Sequence, residues 1–190
     1  AHKDYVVHYR DIHNLFICSG FLFNHESPRR GVNFVTKKIT RSLVKIKLGI
    51  ENSFELGNLE AKRDWGFAGD YVKAMWMMLQ QDKPEDFVIA TGKSHSVRDF
   101  IEATAQVLEM PIRWDGKGLD EVGKDKNDKI MVTINKEFYR PTEVDYLLGD
   151  FSKAKKILGW EPEVTFDELV AMMAKADYER LKKLKDAGLL

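Results

Sequence analysis

A single cysteine, Cys18, is all that the 190 residues offer for disulfide chemistry. One thiol excludes an internal bridge and suits a reducing compartment. It lies in the apolar run Leu15-Phe16-Ile17-Cys18, where a thiol reads as a buried structural group rather than a reactive one. Net charge is missing too: 30 basic residues meet 30 acidic ones. No global field therefore favours nucleic acid or an anionic membrane, and affinity for an anion must come from locally placed Arg and Lys. No apolar run approaches the length of a membrane span and no signal peptide is present, so the sequence predicts neither spanning nor secretion. His2, His8, His13 and His95 do not cluster with Cys or paired carboxylates at metal-ligand spacing, and no metal site is expected. Internal repeats are absent as well. The chain starts at Ala1, without Met, in sequence that already reads as helix, the start expected of a segment cut from a larger protein.

What is present is an ordinary globular composition, 44% hydrophobic and 32% charged. The length suffices for one substantial domain or two small ones, with a core that needs no staples. His2 to His13 is amphipathic and ends at Asn14, a plausible helix stop. Leu15 to Phe23 is an apolar run with Gly20 inside it and predicts a buried parallel strand, followed by a polar loop from Asn24 to Gly31. Val35, Ile39, Leu43 and Ile46 recur at helical spacing, and Gly49 closes that helix. Phe54 and Leu56 predict a short strand, and Gly57 to Gly66 a loop. Phe67, Tyr71, Met75 and Met78 mark a helix whose Met-rich stretch Met75-Trp76-Met77-Met78 reads as core.

Phe87 to Ala90 predicts a strand, and Ser96 with Asp99 a capping pair for the helix bearing Val97, Ile101, Ala105 and Leu108. Pro111 to Trp114 is strand-like, whereas Asp115 to Lys129 reads as a mobile, solvated excursion rich in Gly, Asp and Lys. Ile130 to Ile134 alternates like a strand. Ser152 to Leu158 is a small helix ended by Gly159, and Thr165 with Glu168 predicts a capping box for a last helix towards Leu184. The alternation of short strands and helices gives the fold class α/β.

The loops carry more than the composition does. Asn24 to Arg30 places an amide, an imidazole, a carboxylate and two guanidiniums past the carboxyl end of an apolar strand, the edge where open α/β sheets bind ligands. Adjacent Arg29 and Arg30, with Pro28 stiffening the turn, suit a phosphate-bearing ligand, because guanidinium forks match phosphate oxygens. A solvated loop is the alternative reading of the same residues.

Specific motifs run through the whole chain. Phe21-Leu22-Phe23-Asn24-His25-Glu26-Ser27-Pro28-Arg29-Arg30-Gly31 precedes Phe34-Val35-Thr36-Lys37-Lys38-Ile39-Thr40. Leu56-Gly57-Asn58-Leu59, Arg63-Asp64-Trp65-Gly66 and Met75-Trp76-Met77-Met78-Leu79-Gln80 follow, then Glu85-Asp86-Phe87-Val88-Ile89-Ala90-Thr91-Gly92 and Phe138-Tyr139-Arg140-Pro141-Thr142-Glu143-Val144. In this order they resemble the GDP-mannose 4,6-dehydratase family. Lys153-Ala154 with Leu158-Gly159-Trp160 and Pro162 resembles extended short-chain dehydrogenases on sugar nucleotides more widely.

The resemblance implies an NADP-dependent hydro-lyase. The mannosyl ring is oxidised at C4, loses water across C5 and C6, and takes hydride back at C6 to give GDP-4-keto-6-deoxymannose, a precursor of GDP-fucose and other GDP-deoxyhexoses. It also implies the remainder of a Rossmann-type parallel sheet plus a smaller mixed α/β substrate-binding domain. Residues 1–50 would belong to the NADP-binding part, and residues 51–190 to the sugar-nucleotide region, some segments returning to the sheet. The family's glycine-rich turn is not in the sequence, so its catalytic Thr, Glu, Tyr and Lys are expected upstream. No catalytic residue is assigned here, and the chain by itself is expected to be inactive.

By the same resemblance His25 and Arg30 contact NADP, and Asn24 contacts the substrate diphosphate. Val35 and Lys38 lie on a helix whose start faces the nucleotide. Arg63 meets phosphate or ribose, and Arg140 with Glu143 holds the distal nucleoside. Each has a plainer alternative: Arg63 pairing with Asp64 or Glu60, Lys38 solvated on its helix, Glu143 bridging Arg140 on the surface. The resemblance further implies a cytoplasmic homo-oligomer, dimer or tetramer, that takes GDP-mannose and neither nucleic acid nor membrane. A different sugar-nucleotide dehydratase or epimerase, or a non-catalytic nucleotide-binding or assembly module, remain the competing readings.

Overall fold

The computed structural model describes residues 2–138, 144 and 146–190, the side chains of His2 and Lys3 excepted. In chain order the elements begin with α1 (His2–His13), β1 (Gly20–Leu22), β2 (Asn24–Glu26), α2 (Val35–Lys47) and β3 (Phe54–Leu56). There follow β4 (Lys62–Arg63), β5 (Trp65–Phe67), α3 (Ala68–Met78), β6 (Phe87–Ile89), β7 (His95–Ser96) and α4 (Val97–Val107). The chain continues with β8 (Arg113–Asp115), β9 (Val122–Lys124), β10 (Ile130–Ile134), α5 (Ser152–Leu158) and α6 (Phe166–Asp186). Helices alternate with short strands, some of them parallel, as the α/β reading requires.

Two compact units divide the chain discontinuously, one of residues 1–26, 64–94 and 148–165, the other of residues 27–63, 95–147 and 166–190. The division by role expected at 50/51 does not coincide with these boundaries.

In the first unit β1 runs parallel to β6, Gly20 opposite Phe87 and Leu22 opposite Ile89, and β2 runs parallel to β5. Tyr71, Ala74 and Met78 from α3 pack with Phe87, Ile89, Ala154, Leu158 and Trp160 into one core. Burying each large side chain contributes roughly 1.5–3 kcal/mol. The Trp160 indole donates to the Asp70 carbonyl at 2.9 Å, so its one polar atom is satisfied inside that core. Asn14 adopts φ 50° and ends α1, and Gly159 adopts φ 67° and ends α5, as their sequence positions predict.

The apolar run 15–23 is a correction. Only Gly20–Leu22 forms strand, and Leu15, Phe16 and Phe21 are exposed. β1 pairs on one side alone among the described residues. The Met-rich stretch splits as well: Met78 is core, whereas Met75 and Trp76 point outward, because an 11-residue helix packed on one face cannot bury consecutive positions.

In the second unit β3-β10-β9-β8 form a four-stranded sheet, β10 parallel to β3 and antiparallel to β9. The segment expected as a solvated excursion is therefore partly sheet. Val122–Lys124 pairs with both neighbours, and Gly123 is buried between Trp114 and Val132. Helices α2, α4 and α6 pack together through Ile39, Leu43, Phe100, Ile101, Leu169 and Met173, all fully buried. α4 opens with the predicted capping box, Asp99 N donating to Ser96 Oγ at 3.0 Å and Ser96 N to Asp99 Oδ2 at 2.8 Å. The predicted loop Gly57–Gly66 instead contains β4 and the start of β5, and the strand predicted over Pro111–Trp114 runs from Arg113 to Asp115.

Candidate functional site

Asn24 and His25 belong to the first unit and sit on β2, not in the loop expected there. Pairing with Trp65 and Gly66 of β5 draws these polar residues into a strand that their own propensities would not form. Successive strand residues face opposite ways, so Asn24 and His25 can address different ligand groups. Both are half-buried. His25 Nδ1 lies 2.9 Å from the Phe23 carbonyl oxygen. A carbonyl only accepts, so Nδ1 carries the proton in the neutral ring and Nε2 keeps the lone pair.

Just beyond β6, Asp64 fixes the Thr91-Gly92 turn. Its carboxylate is 0% exposed and accepts from Thr91 N (2.8 Å), Thr91 Oγ1 (2.7 Å), Gly92 N (3.0 Å) and Gly149 N (3.2 Å). The sequence reading offered Asp64 as a possible partner of Arg63. The carboxylate is instead an internal fastener joining three backbone segments.

Arg30, Val35, Lys38 and Arg63 belong to the second unit. Arg30 follows a tight turn in which its N–H donates to the Ser27 carbonyl at 2.9 Å. Its guanidinium lies 3.5 Å from the centroid of the Phe34 ring. Stacking of this kind uses the face of the guanidinium and not its in-plane donors. Phe34 is the N-cap of α2 and provides no side-chain hydrogen bond to the helix, whose first turn has no acidic residue. The N-cap position thus lacks the usual carboxylate or hydroxyl side chain that would complement the positive end of the helix dipole. Val35 is the first helical residue and half-buried.

Lys38 Nζ sits 4.0 Å over the Phe138 ring. Burial pulls its ammonium below the ordinary lysine value, and Glu55 partly offsets this. A helix start carrying two cations, one of them partly desolvated, favours an anion.

Lys37, absent from the candidate residues, carries the support of this region. It is buried, and its Nζ donates to Asp177 Oδ1 at 2.6 Å and to the Pro28 carbonyl at 2.9 Å. Thr40 Oγ1 donates to Asp177 Oδ2 at 2.6 Å. One carboxylate from α6 thereby holds the first turns of α2, and Lys37 holds the Ser27–Gly31 turn that bears Arg30. A signal existed in the sequence, since position 37 lies three and seven residues before Thr40 and Val44 on the buried stripe.

Arg63 Nη1 donates to the carbonyls of Lys62 (2.8 Å) and Val144 (2.6 Å). The suggested alternative partner Glu60 instead accepts from Arg98 Nε at 2.9 Å and Nη2 at 2.6 Å. Arg63 thus fastens β4 to the residue that follows Glu143. Arg140 and Glu143 themselves lie outside the described residues. Arg30, Val35 and Lys38 gather at one helix start, and Asn24 and His25 share one strand. Among the described residues no helix is long and apolar enough to cross a membrane.

Comparison with known proteins gives these positions a context. The family model described as GDP-mannose 4,6 dehydratase matches residues 1–173. GDP-mannose 4,6 dehydratase of Drosophila melanogaster is 58% identical over 179 residues, covering 94% of this chain and 45% of that protein. The human protein of the same name is 58% identical over 178 residues, covering 93% and 48%. The chain thus spans about half the length of the curated relatives it matches.

Among solved structures, RMD from Pseudomonas aeruginosa complexed with NADPH superposes with a TM-score of 0.77 at 17% identity, over 94% of this chain and 54% of that one. The dTDP-glucose 4,6-dehydratase of Bacillus anthracis in complex with NAD gives 0.70, also at 17%, over 95% and 50%. At such identities the likeness establishes the fold, a Rossmann-type α/β arrangement. The family is established by sequence over nine-tenths of the chain, and the chain belongs to the GDP-mannose 4,6-dehydratase family.

Proposed function

We propose that the protein to which this chain belongs is an NADP-dependent hydro-lyase. It converts GDP-mannose to GDP-4-keto-6-deoxymannose, and these residues supply mainly the nucleotide cradle. The supporting observation is the start of α2, where Arg30 and Lys38 stand by a helix end whose N-cap side chain makes no hydrogen bond and whose first turn has no acidic residue. A diphosphate satisfies that arrangement better than water does, because the donors are preorganised and partly desolvated.

Asn24 is assigned to the substrate diphosphate through its amide N–H₂. Val35 is assigned to the nucleotide through its position at the helix start, and Lys38 through its ammonium. Arg63 and Arg140 are assigned to phosphate or ribose, and Glu143 to hydrogen-bond acceptance from ribose hydroxyls or base N–H groups. His25 and Arg30 are assigned to NADP. These two fit such a dinucleotide chemically, an acceptor nitrogen for hydroxyl or amide groups and a cationic fork for phosphate. Bound NADP supplies the hydride exchange, while the groups of this chain bind and orient. The assembly is proposed to be a cytoplasmic homo-oligomer, and the 190 residues by themselves to turn over no GDP-mannose.

The division of roles is testable in a protein of the relatives' full length. Arg30→Ala is expected to raise the Kd for NADP by roughly tenfold, about 1.4 kcal/mol, with a smaller effect on GDP-mannose. Asn24→Ala is expected to do the reverse. Calorimetric titration of each ligand reads both; equal losses from either variant would contradict the separate roles.

A further inference from the structure

Across the parallel pair β2–β5, His25 stands opposite Gly66. A Cβ at Gly66 would lie 2.5 Å from Tyr71 Cε2 and 2.9 Å from the Tyr71 hydroxyl oxygen. Real side chains do not tolerate such contacts, so only glycine leaves the notch that the phenol fills. The Tyr71 ring then lies 5.1 Å from the imidazole of His25, with the planes 34° apart. Trp160 closes the other side edge-on at 6.1 Å.

Tyr71 is 1% exposed, and its hydroxyl has no hydrogen-bond partner among the described residues. Burial pushes the phenol well above its ordinary range, and Asp64, Asp70 and Glu26 push the same way, so it stays neutral. The ring, rather than the hydroxyl, therefore makes the contact that orients its neighbour. The only hydrogen bond to the imidazole among the described residues is the one to the Phe23 carbonyl.

We propose that Tyr71 and Gly66 are positioning residues for His25. The phenol, admitted by the missing side chain at 66, holds the imidazole against the Phe23 carbonyl as the Nδ1–H tautomer, and Nε2 is presented as a hydrogen-bond acceptor. An acceptor nitrogen cannot engage a phosphate oxygen, which also only accepts. His25 therefore contacts a hydroxyl or amide N–H of the dinucleotide and leaves the phosphates to guanidinium groups. This consequence rests on the reading of His25 as a cofactor contact, whereas the tautomer does not.

The test is long-range ¹H–¹⁵N NMR of a protein of the relatives' full length, without nucleotide, under alkaline conditions that report the neutral ring. A protonated Nδ1 and an unprotonated Nε2 are expected for His25. Tyr71→Phe is expected to keep this signature and an unfolding midpoint no lower than the parent, since only an unpartnered hydroxyl is lost. Tyr71→Leu and Gly66→Ala are expected to collapse the separation of the two ring-nitrogen shifts towards their average. An Nε2–H tautomer in the parent would overturn the proposal. So would loss of the signature in Tyr71→Phe, or an unchanged spectrum in both other variants. The parent and Tyr71→Phe measurements can still overturn the proposal even if a harsher variant does not fold. Because no ligand is present, a negative outcome says nothing against NADP as the cofactor.

Discussion

Asp177→Ala is expected to destabilise the protein by about 3–5 kcal/mol, the largest effect of any single substitution considered. The Lys37 and Asp177 side chains are 3% and 2% exposed, and the Nζ–Oδ1 distance is 2.6 Å. Removing the carboxylate leaves an ammonium buried without its counter-charge and deprives Thr40 of its acceptor. Desolvation dominates here, so the loss exceeds the ~0–1 kcal/mol of an exposed pair. Replacing both partners, as Lys37→Met with Asp177→Leu, is expected to recover most of it, because no charge is then left unpaired. Urea denaturation measures both; a loss below about 1 kcal/mol in the single variant would contradict the buried-pair account. Lys37 also holds the Pro28 carbonyl, so phosphate affinity at the Arg30 turn is expected to fall with stability.

Asp64→Ala comes next, with an expected loss of about 3 kcal/mol. Four donors converge on this carboxylate, three of them backbone amides from Thr91, Gly92 and Gly149. A buried donor left without an acceptor costs ~1–3 kcal/mol, which applies in full to the Gly149 amide and in part to the more exposed donors of Thr91 and Gly92. Asp64→Asn retains one acceptor oxygen and is expected to fall between. Gly149 gives the site its sharpest readout: its hydrogen bond to Asp64 is buried, and its backbone packs so close to Ala90 that an added Cβ would lie 2.2 Å from Ala90 Cβ. Amide hydrogen exchange at residues 91, 92 and 149 is expected to accelerate in Asp64→Ala. Unchanged protection at 149 would show that the carboxylate is not its fastener.

The contrast between these aspartates and the named site residues shows what a sequence makes legible. Helices α1, α2, α4 and α5 were readable because their stops and periodicities are local: Asn14, Gly49, Ser96 with Asp99, and Gly159 each act within a turn. Strands β2, β4, β7 and β9 have two or three residues, several of them polar, and exist because a distant partner pairs with them. Val122–Lys124 looked like loop for that reason. Arg30, Val35 and Lys38 were nameable from a motif that also marks a helix start. Lys37 and Lys38 are chemically identical neighbours, and only packing against α6, 140 residues away, makes one a buried strut and the other a half-exposed cation.

Nucleotide identity is the centre of the functional account, and calorimetric titration of GDP into the protein tests it most directly, with UDP, dTDP and CDP as comparisons. GDP is expected to bind at least tenfold more tightly than the other three, about 1.4 kcal/mol. Glu143→Gln is expected to erase that margin, because a base or ribose donor would lose its acceptor. Binding of UDP or dTDP as tight as that of GDP, or a Glu143→Gln variant with unchanged affinity for GDP, would contradict the assignment.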